Sequence, residues 1–172
     1  MTSQMADPCG ENFAIFFAAG LAHTPCSYEE FLTVTSVHTG SCLCGAVSFS
    51  TSAPLRGVVY CHCSQCRKQS GHFYAATNVP DDAIVVSGAD KVKWYAASAK
   101  ARRGFCCNCG SALFWKHSEL DYVSVMAGAF NAPTGLKGEC HIFVEDKGDY
   151  YAIDDALPQF ERSTPSIKVG DD

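Results

Sequence analysis

The eight residues CHCSQCRK at 61–68 combine three cysteines and a histidine with two adjacent cations. Thiolate and imidazole groups are usual ligands of Zn²⁺, which binds four protein ligands in structural sites and three in catalytic sites. Two more cysteine groups have similar spacing, CLCG at 42–45 and CCNCG at 106–110. The cysteines therefore predict metal binding, and the number of ligands at each site decides whether the metal is structural or catalytic.

The first and third cysteine groups predict one closed metal site. In a C-x-C pair of extended backbone both sulfurs lie on one face, and a C-x-x-C turn directs two sulfurs to one point. Gly45 and Gly110 end the two groups and permit the chain to turn tightly beneath a metal. We expect a structural Cys₄ zinc site with these ligands: Cys42, Cys44, Cys106 and Cys109.

The middle group predicts a second site that is incomplete. Cys61, Cys63 and Cys66 supply three thiolates, whereas strand alternation directs the ring of His62 to the opposite side. We therefore interpret His62 as a packing or hydrogen-bonding residue. Three protein ligands and one open position are typical of catalytic zinc. The fourth position is left to water, to an incoming thiol or to a residue from elsewhere, such as His72, Cys140 or His141.

The ligand type indicates which reaction the second site would favour. Three thiolates leave the site negatively charged, so the metal is a weaker Lewis acid and acidifies water less than a metal held by neutral histidines. Such a site favours an incoming sulfur ligand, held deprotonated and ready to attack an electrophile. We expect a small thiol as substrate, and glutathione fits because cations nearby could bind its carboxylates. These cations are Arg67 and Lys68, with Arg102 and Arg103 as further candidates.

Composition limits the classes of partner and location. The chain has 172 residues, 47% of them hydrophobic, which predicts one domain with its own core. A net charge of −5 and scattered cations argue against binding to nucleic acid or to an anionic membrane. The apolar stretch 13–22 is too short for a membrane span and lacks a signal peptide's basic flank. We expect a cytoplasmic protein whose cysteines bind metal. The sequence leaves open whether the chain forms a homo-oligomer.

Short apolar or alternating runs separated by turn residues predict an antiparallel, sheet-rich fold. Nine strands are expected, at 46–50, 57–61, 72–79, 83–87, 91–96, 111–115, 122–128, 140–145 and 149–153. Helix is expected only in short pieces, after Cys66, at 154–160 and, in an N-terminal extension, at 11–21. Asp154 and Asp155 would begin the second of these helices, where carboxylates favour the dipole.

Four motifs in this order resemble the glutathione-dependent formaldehyde-activating enzymes, the CENP-V/GFA family: GSCLCG, YCHCSQCRKQSG, FCCNCG and HIFVEDKGDYYAIDDALPQF. The resemblance covers residues 38–162 and leaves 1–37 as an N-terminal extension and 163–172 as a tail. It implies a mainly β, Mss4-like fold of coiled antiparallel sheets organised around structural zinc. The implied activity is a carbon–sulfur lyase reaction that condenses formaldehyde with glutathione to S-(hydroxymethyl)glutathione.

The resemblance also implies two zinc ions per chain, a structural one on the first and third cysteine groups and an exchangeable one on Cys61, Cys63 and Cys66. Two alternatives stay open. Cys107 stands where the family commonly has proline and could replace Cys106, although the C-x-x-C spacing favours Cys106. The second zinc could also be structural, in which case the protein would be a non-catalytic zinc-binding module.

Overall fold

The computed structural model describes residues 36–164. Within this range the chain forms ten strands, one α-helix and four 3₁₀ turns. The strands are β1 His38–Ser41, β2 Ser48–Thr51, β3 Val58–Cys61, β4 Tyr74–Pro80, β5 Ile84–Ser87, β6 Val92–Ala96, β7 Ala101–Cys106, β8 Ala112–His117, β9 Tyr122–Met126 and β10 Gly138–Ile142. The helix is α1 Ser64–Ser70, and the 3₁₀ turns are Asp81–Ala83, Ala89–Lys91, Ala127–Ala129 and Val144–Asp146.

The strands form two sheets. The smaller sheet has the order β1-β2-β5, and the larger has the order β10-β3-β4-β9-β8-β7-β6. Every pair is antiparallel except β10 with β3, which is parallel. A parallel pair needs a long crossover connection, which the six intervening strands provide here. The prediction of a mainly β fold with antiparallel sheets is confirmed, with this one parallel edge as an addition.

The main hydrophobic core joins the two sheets. Phe49 and Ile84 of the smaller sheet pack in one cluster with Phe114 and Val125 of the larger sheet. The rings of Phe49 and Phe114 meet edge to face with centroids 5.9 Å apart, an arrangement that aromatic pairs favour. Cys42 and Cys106 belong to the same cluster, so the first and third cysteine groups lie where the sheets meet.

Two strands, β1 and β7, were not predicted from the sequence. β7 contains two arginines and a glycine, and its alternation is hidden because Arg103 is buried although it is charged. Gly104 allows β7 to approach the Trp94 ring, because a Cβ at that position would lie 3.1 Å from the indole. β1 has the short polar sequence HTGS at a sheet edge, which carries no hydrophobic pattern.

The C-terminal predictions at 149–153 and 154–160 were wrong. Tyr150 lies in a turn and the residues that follow have neither strand nor helix. His141 N–H donates to Pro158 O at 2.8 Å, and Phe160 N–H donates to His141 O at 2.9 Å. These hydrogen bonds hold residues 158–160 along the outer edge of β10. This pairing with a distant strand prevails over the local sequence signals that predicted a helix. The helix predicted at 11–21 lies outside the described residues. Within 36–164, none of the helices has the length and apolar character needed to cross a membrane.

Candidate metal centres and active site

The first and third cysteine groups come together as one cluster of four sulfurs. The Sγ atoms of Cys42, Cys44, Cys106 and Cys109 all lie within 4.8 Å of one another. Cys44 Sγ is 3.8 Å from Cys106 Sγ and 3.5 Å from Cys42 Sγ. Tetrahedral zinc with bonds of about 2.3 Å to sulfur places its ligands about 3.8 Å apart. Both the donor type and the spacing therefore fit zinc.

Two similar turns build this cluster. Gly45 N–H donates to Cys42 O at 3.1 Å, and Gly110 N–H donates to Cys106 O at 2.8 Å. Both glycines have a positive φ, 75° and 74°, which a side chain would disfavour. Val47 N–H also donates to Cys42 Sγ at 3.3 Å, as expected for a sulfur that carries negative charge.

Ser111 joins the two turns, a role that the sequence did not indicate. Its Oγ accepts a hydrogen bond from Leu43 N–H at 3.0 Å and lies 3.3 Å from Cys109 Sγ. The hydrogen bond with Ser111 lowers the pKa of Cys109 to about 5, which favours the thiolate that a metal binds. Cys107, the alternative ligand, does not belong to the four-sulfur group.

The middle group forms the second cluster. Cys61 ends β3, Cys63 caps the N-terminus of α1, and Cys66 lies in the first turn of that helix. Cys63 Sγ accepts the backbone N–H of Cys66 at 3.4 Å, so the helix itself orients two of the sulfurs. All three sulfurs lie within 4.8 Å of one another. Among the described residues, no fourth His, Cys, Asp or Glu completes the group.

The prediction for His62 is confirmed, because its ring is fully buried and both nitrogens are occupied. Nδ1 lies 2.6 Å from the hydroxyl of Tyr151, and Nε2 lies 2.8 Å from Nδ1 of His141. His141 Nε2 is 3.1 Å from the carboxylate of Asp155. Burial, helped by the neighbouring His141, lowers the pKa of His62 to about 4, so the ring is neutral near pH 7.

The three candidate fourth ligands are all engaged elsewhere. His141 uses both ring nitrogens in the chain just described. Cys140 packs in a separate small core with Val59 and Ile142. His72 is exposed, and its ring lies 4.1 Å from that of Tyr151. In the part of the chain that the structure describes, the second cluster is thus a three-thiol site.

The three thiols cannot all ionise unaided. Hydrogen bonds from Cys61 and Cys66 hold the pKa of Cys63 well below its usual range. The hydrogen bond with Cys63 raises the pKa of Cys61 well above its usual range. One negative charge at this spacing therefore keeps its neighbours protonated, and three thiolates require a bound cation.

The second cluster opens onto a cavity of about 470 Å³ on the face of the larger sheet opposite the main core. Alternate residues of four neighbouring strands form its floor, because successive strand residues point to opposite faces. They are Tyr74, Ala76 and Asn78 of β4, Tyr122, Ser124 and Met126 of β9, Trp115 and His117 of β8, and Ala101 and Arg103 of β7.

The predicted substrate-binding cations lie outside this cavity. Arg67 donates from Nε to the backbone oxygen of Asp146 at 3.2 Å, and Lys68 is exposed to solvent. Arg103 lies in the cavity wall instead, with its Nη2 atom 3.5 Å from Cys66 Sγ. Arg102 points to the other face of β7, where its guanidinium lies 4.6 Å from the centre of the Trp94 ring.

Comparison with known proteins agrees with this architecture. The chain belongs to the family described as glutathione-dependent formaldehyde-activating enzyme, whose sequence profile matches residues 37–146. The mainly β architecture, with four cysteines gathered between its sheets, is consistent with the Mss4-like fold implied for this family.

Individual proteins similar to the chain include two curated relatives and one solved structure. A provisionally named glutathione-dependent formaldehyde-activating enzyme of Halomonas elongata is 32% identical over 128 residues, covering 67% of this chain and 80% of its own length. An uncharacterized lyase of Schizosaccharomyces pombe is 29% identical over 118 residues, covering 66% and 83%. A crystal structure of a Rhodobacter sphaeroides protein has a TM-score of 0.49 at 24% identity, covering 56% of this chain and 91% of its own.

Proposed function

We propose that this protein is a zinc-dependent enzyme that joins a small thiol, glutathione in the first instance, to formaldehyde or a related small electrophile. The product with glutathione is S-(hydroxymethyl)glutathione, and the reaction belongs to the carbon–sulfur lyase class. The observation that carries the proposal is the three-thiol cluster at the cavity, which has no fourth ligand among the described residues. The family description and the lyase name of one relative support the reaction class.

The reaction forms one bond between the thiol sulfur and the formaldehyde carbon. The carbonyl π bond opens as that bond forms, and its oxygen gains the proton that the thiol loses. Zinc held by Cys61, Cys63 and Cys66 would supply positive charge and an open position that lowers the pKa of a thiol ligand. The other zinc, on Cys42, Cys44, Cys106 and Cys109, would stabilise the junction of the two sheets.

Residues around the second cluster hold it in a defined shape. Arg103 donates a hydrogen bond to Cys66 Sγ and places a positive charge beside the thiolates. Burial opposes that charge, but the neighbouring Cys66 thiolate raises the pKa of Arg103, so the guanidinium stays charged. Apolar side chains, Trp115, Met126 and Ile142, line the adjoining cavity and limit the water that competes with the thiol.

A second candidate function is a non-catalytic zinc module. The observation in its favour is that the three-thiol cluster also supports the fold, because Cys63 caps α1 and Cys66 is 5% exposed. On this reading a metal at the second site would be as structural as the first, and glutathione would not reach it.

Exchange NMR at equilibrium separates the two functions. Formaldehyde and glutathione combine without a catalyst, so the assay compares the rates of adduct formation and breakdown with zinc-loaded protein and with buffer alone. Cys63→Ser is the decisive variant, because serine is a preferred helix N-cap and preserves α1 while removing one thiolate. Cys140→Ala is the matched control, since this buried cysteine belongs to neither cluster.

The enzyme proposal predicts rates above background for the wild type and for Cys140→Ala, and the background rate for a folded Cys63→Ser. A wild-type rate equal to that of buffer would reject the formaldehyde reaction. Unfolding of Cys63→Ser in spite of its retained cap would favour the structural module.

A further inference from the structure

The cavity next to the second cluster contains an unusual set of polar atoms. Within the described residues, four buried side-chain polar atoms have no hydrogen-bond partner: Arg56 Nε, Tyr74 Oη, Arg103 Nε and His117 Nε2. All four residues line this one cavity. Buried polar atoms are nearly always paired, so a group of exceptions in one cavity indicates a ligand that supplies the partners.

The chemistry of three of these atoms specifies what the ligand must offer. Arg103 Nε is a donor in every state, and the Tyr74 hydroxyl has a proton to donate. His117 Nδ1 accepts the backbone N–H of Glu119 at 3.2 Å, so in the neutral ring Nε2 carries the proton and is a third donor. Three donors without an acceptor predict a ligand that presents oxygen acceptors.

The charge of Arg103 makes a carboxylate the favoured acceptor. This side chain is 7% exposed, and its terminal nitrogens reach Gln65 Oε1 at 3.3 Å and Gln69 Oε1 at 3.4 Å. No carboxylate of the described residues pairs with it, whereas Arg56 lies 3.8 Å from Glu139. The terminal nitrogens of Arg103 thus have the Cys66 sulfur and two neutral amides as partners, whereas its buried Nε has none, and an oxygen anion is the ligand that best satisfies a buried, charged donor.

The strand register brings the three donors to one place. Arg103 is opposite Trp115 in the β7–β8 pair, and His117 is the next residue of β8 on the same face. Tyr74 lies under the guanidinium of Arg103, which is 5.6 Å from the centre of its ring. Because Arg103 also touches Cys66, the donors adjoin the three-thiol cluster. A small ligand can therefore reach both places at once.

We propose that Arg103, His117 and Tyr74 form a carboxylate-binding subsite, which selects acidic thiols over neutral thiols of the same length. The thiol half of this inference rests on the proposed function, and the carboxylate half rests on the unpartnered donors. The subsite holds one carboxylate of the substrate while the substrate's sulfur lies at Cys61, Cys63 and Cys66.

Calorimetric binding to the zinc-loaded full chain tests the subsite apart from the chemistry. S-methylglutathione keeps both carboxylates but has no thiol to ionise, and glutathione diethyl ester keeps the thiol but has neither carboxylate charge. The subsite predicts that S-methylglutathione binds the wild type and still binds Cys63→Ser. It also predicts that the diethyl ester binds at least about tenfold more weakly than glutathione, because charged hydrogen bonds are lost.

Conservative variants distinguish ligand binding from a structural role. Tyr74→Phe removes only a hydroxyl that has no partner in the fold, so thermal stability should be unchanged while S-methylglutathione binds about tenfold more weakly. His117→Asn keeps an acceptor for Glu119 N–H and removes the Nε2 donor, with the same expected loss. Arg103→Met should weaken binding further, and Arg102→Met, on the other face of β7, is its matched control.

The outcomes separate the subsite from the proposed function. Binding of S-methylglutathione that depends on Tyr74 and His117, combined with an exchange rate at background, would keep the subsite and reject the reaction. Catalysed exchange combined with unchanged binding in Tyr74→Phe and His117→Asn would keep the reaction and overturn the subsite. Absence of S-methylglutathione binding to the wild type would also overturn the subsite.

Discussion

Loss of one cysteine from the four-sulfur cluster should cost far more stability than loss of an equally buried cysteine elsewhere. Cys106 is fully buried, and Cys140 is 5% exposed, so the two differ little in burial. Only Cys106 belongs to a four-sulfur group, with Cys44 Sγ 3.8 Å away. The comparison of Cys106→Ala with Cys140→Ala therefore isolates the contribution of the metal site from that of packing.

The expected magnitudes are well separated. Cys140→Ala removes one buried sulfur and should lower the free energy of unfolding by about 1–2 kcal/mol. Structural zinc contributes an apparent binding free energy of about 10–16 kcal/mol, whereas a domain has a net stability of about 5–15 kcal/mol. A Cys106→Ala chain that loses this zinc should therefore have no cooperative thermal transition.

Circular dichroism during heating, combined with the zinc content per chain, measures both effects. For Cys140→Ala we expect two zinc ions per chain and a cooperative thermal transition. For Cys106→Ala we expect the zinc of the four-sulfur cluster and the cooperative transition to be lost together. A cooperative Cys106→Ala transition within about 1 kcal/mol of Cys140→Ala would refute the reasoning, because the four sulfurs would then contribute only packing.

Two more predictions concern the buried histidine chain. The ring of His62 should titrate by NMR near pH 4, and a titration midpoint at 6.5 would contradict the burial effect. The free energy of unfolding should fall as the pH drops from about 6.5 towards 4, because the unfolded chain then binds a proton that the folded chain excludes. Tyr151→Phe removes the hydroxyl that lies 2.6 Å from His62 Nδ1 and should lower the free energy of unfolding, measured in urea, by about 1–3 kcal/mol. An unchanged midpoint of urea unfolding would contradict this prediction, because water would then replace the lost hydrogen bond.

The cysteine clusters could be predicted from sequence because their geometry is local. A C-x-x-C turn and a C-x-C pair each bring two sulfurs together within a few residues, and the structure joins the pairs of Cys42 and Cys106 as the spacing indicated. Strands β4 and β9 were predictable for a similar reason, since each is a short run with β-branched and aromatic residues that is recognisable within its own sequence. The mainly β class followed from these strands.

The cavity could not be predicted from sequence because it depends on register between distant strands. β7 brings Arg103 beside β8 and opposite Trp115, and no local pattern marks that contact. The buried Arg103 also makes β7 hard to recognise, because a charged residue stands where the alternation of a strand would have an apolar one. The nearer cations Arg67 and Lys68 followed Cys66 in sequence, but the turn of α1 leads them away from the cavity.

The central claim is that the second metal site is open to a thiol while the first is closed. Cadmium in place of zinc reports this directly, because ¹¹³Cd NMR gives a separate resonance for each site and responds to each added sulfur ligand. The account predicts two resonances, of which one moves on addition of glutathione and is absent from Cys63→Ser. Two resonances that both stay unchanged at saturating glutathione would contradict it, because both sites would then be closed.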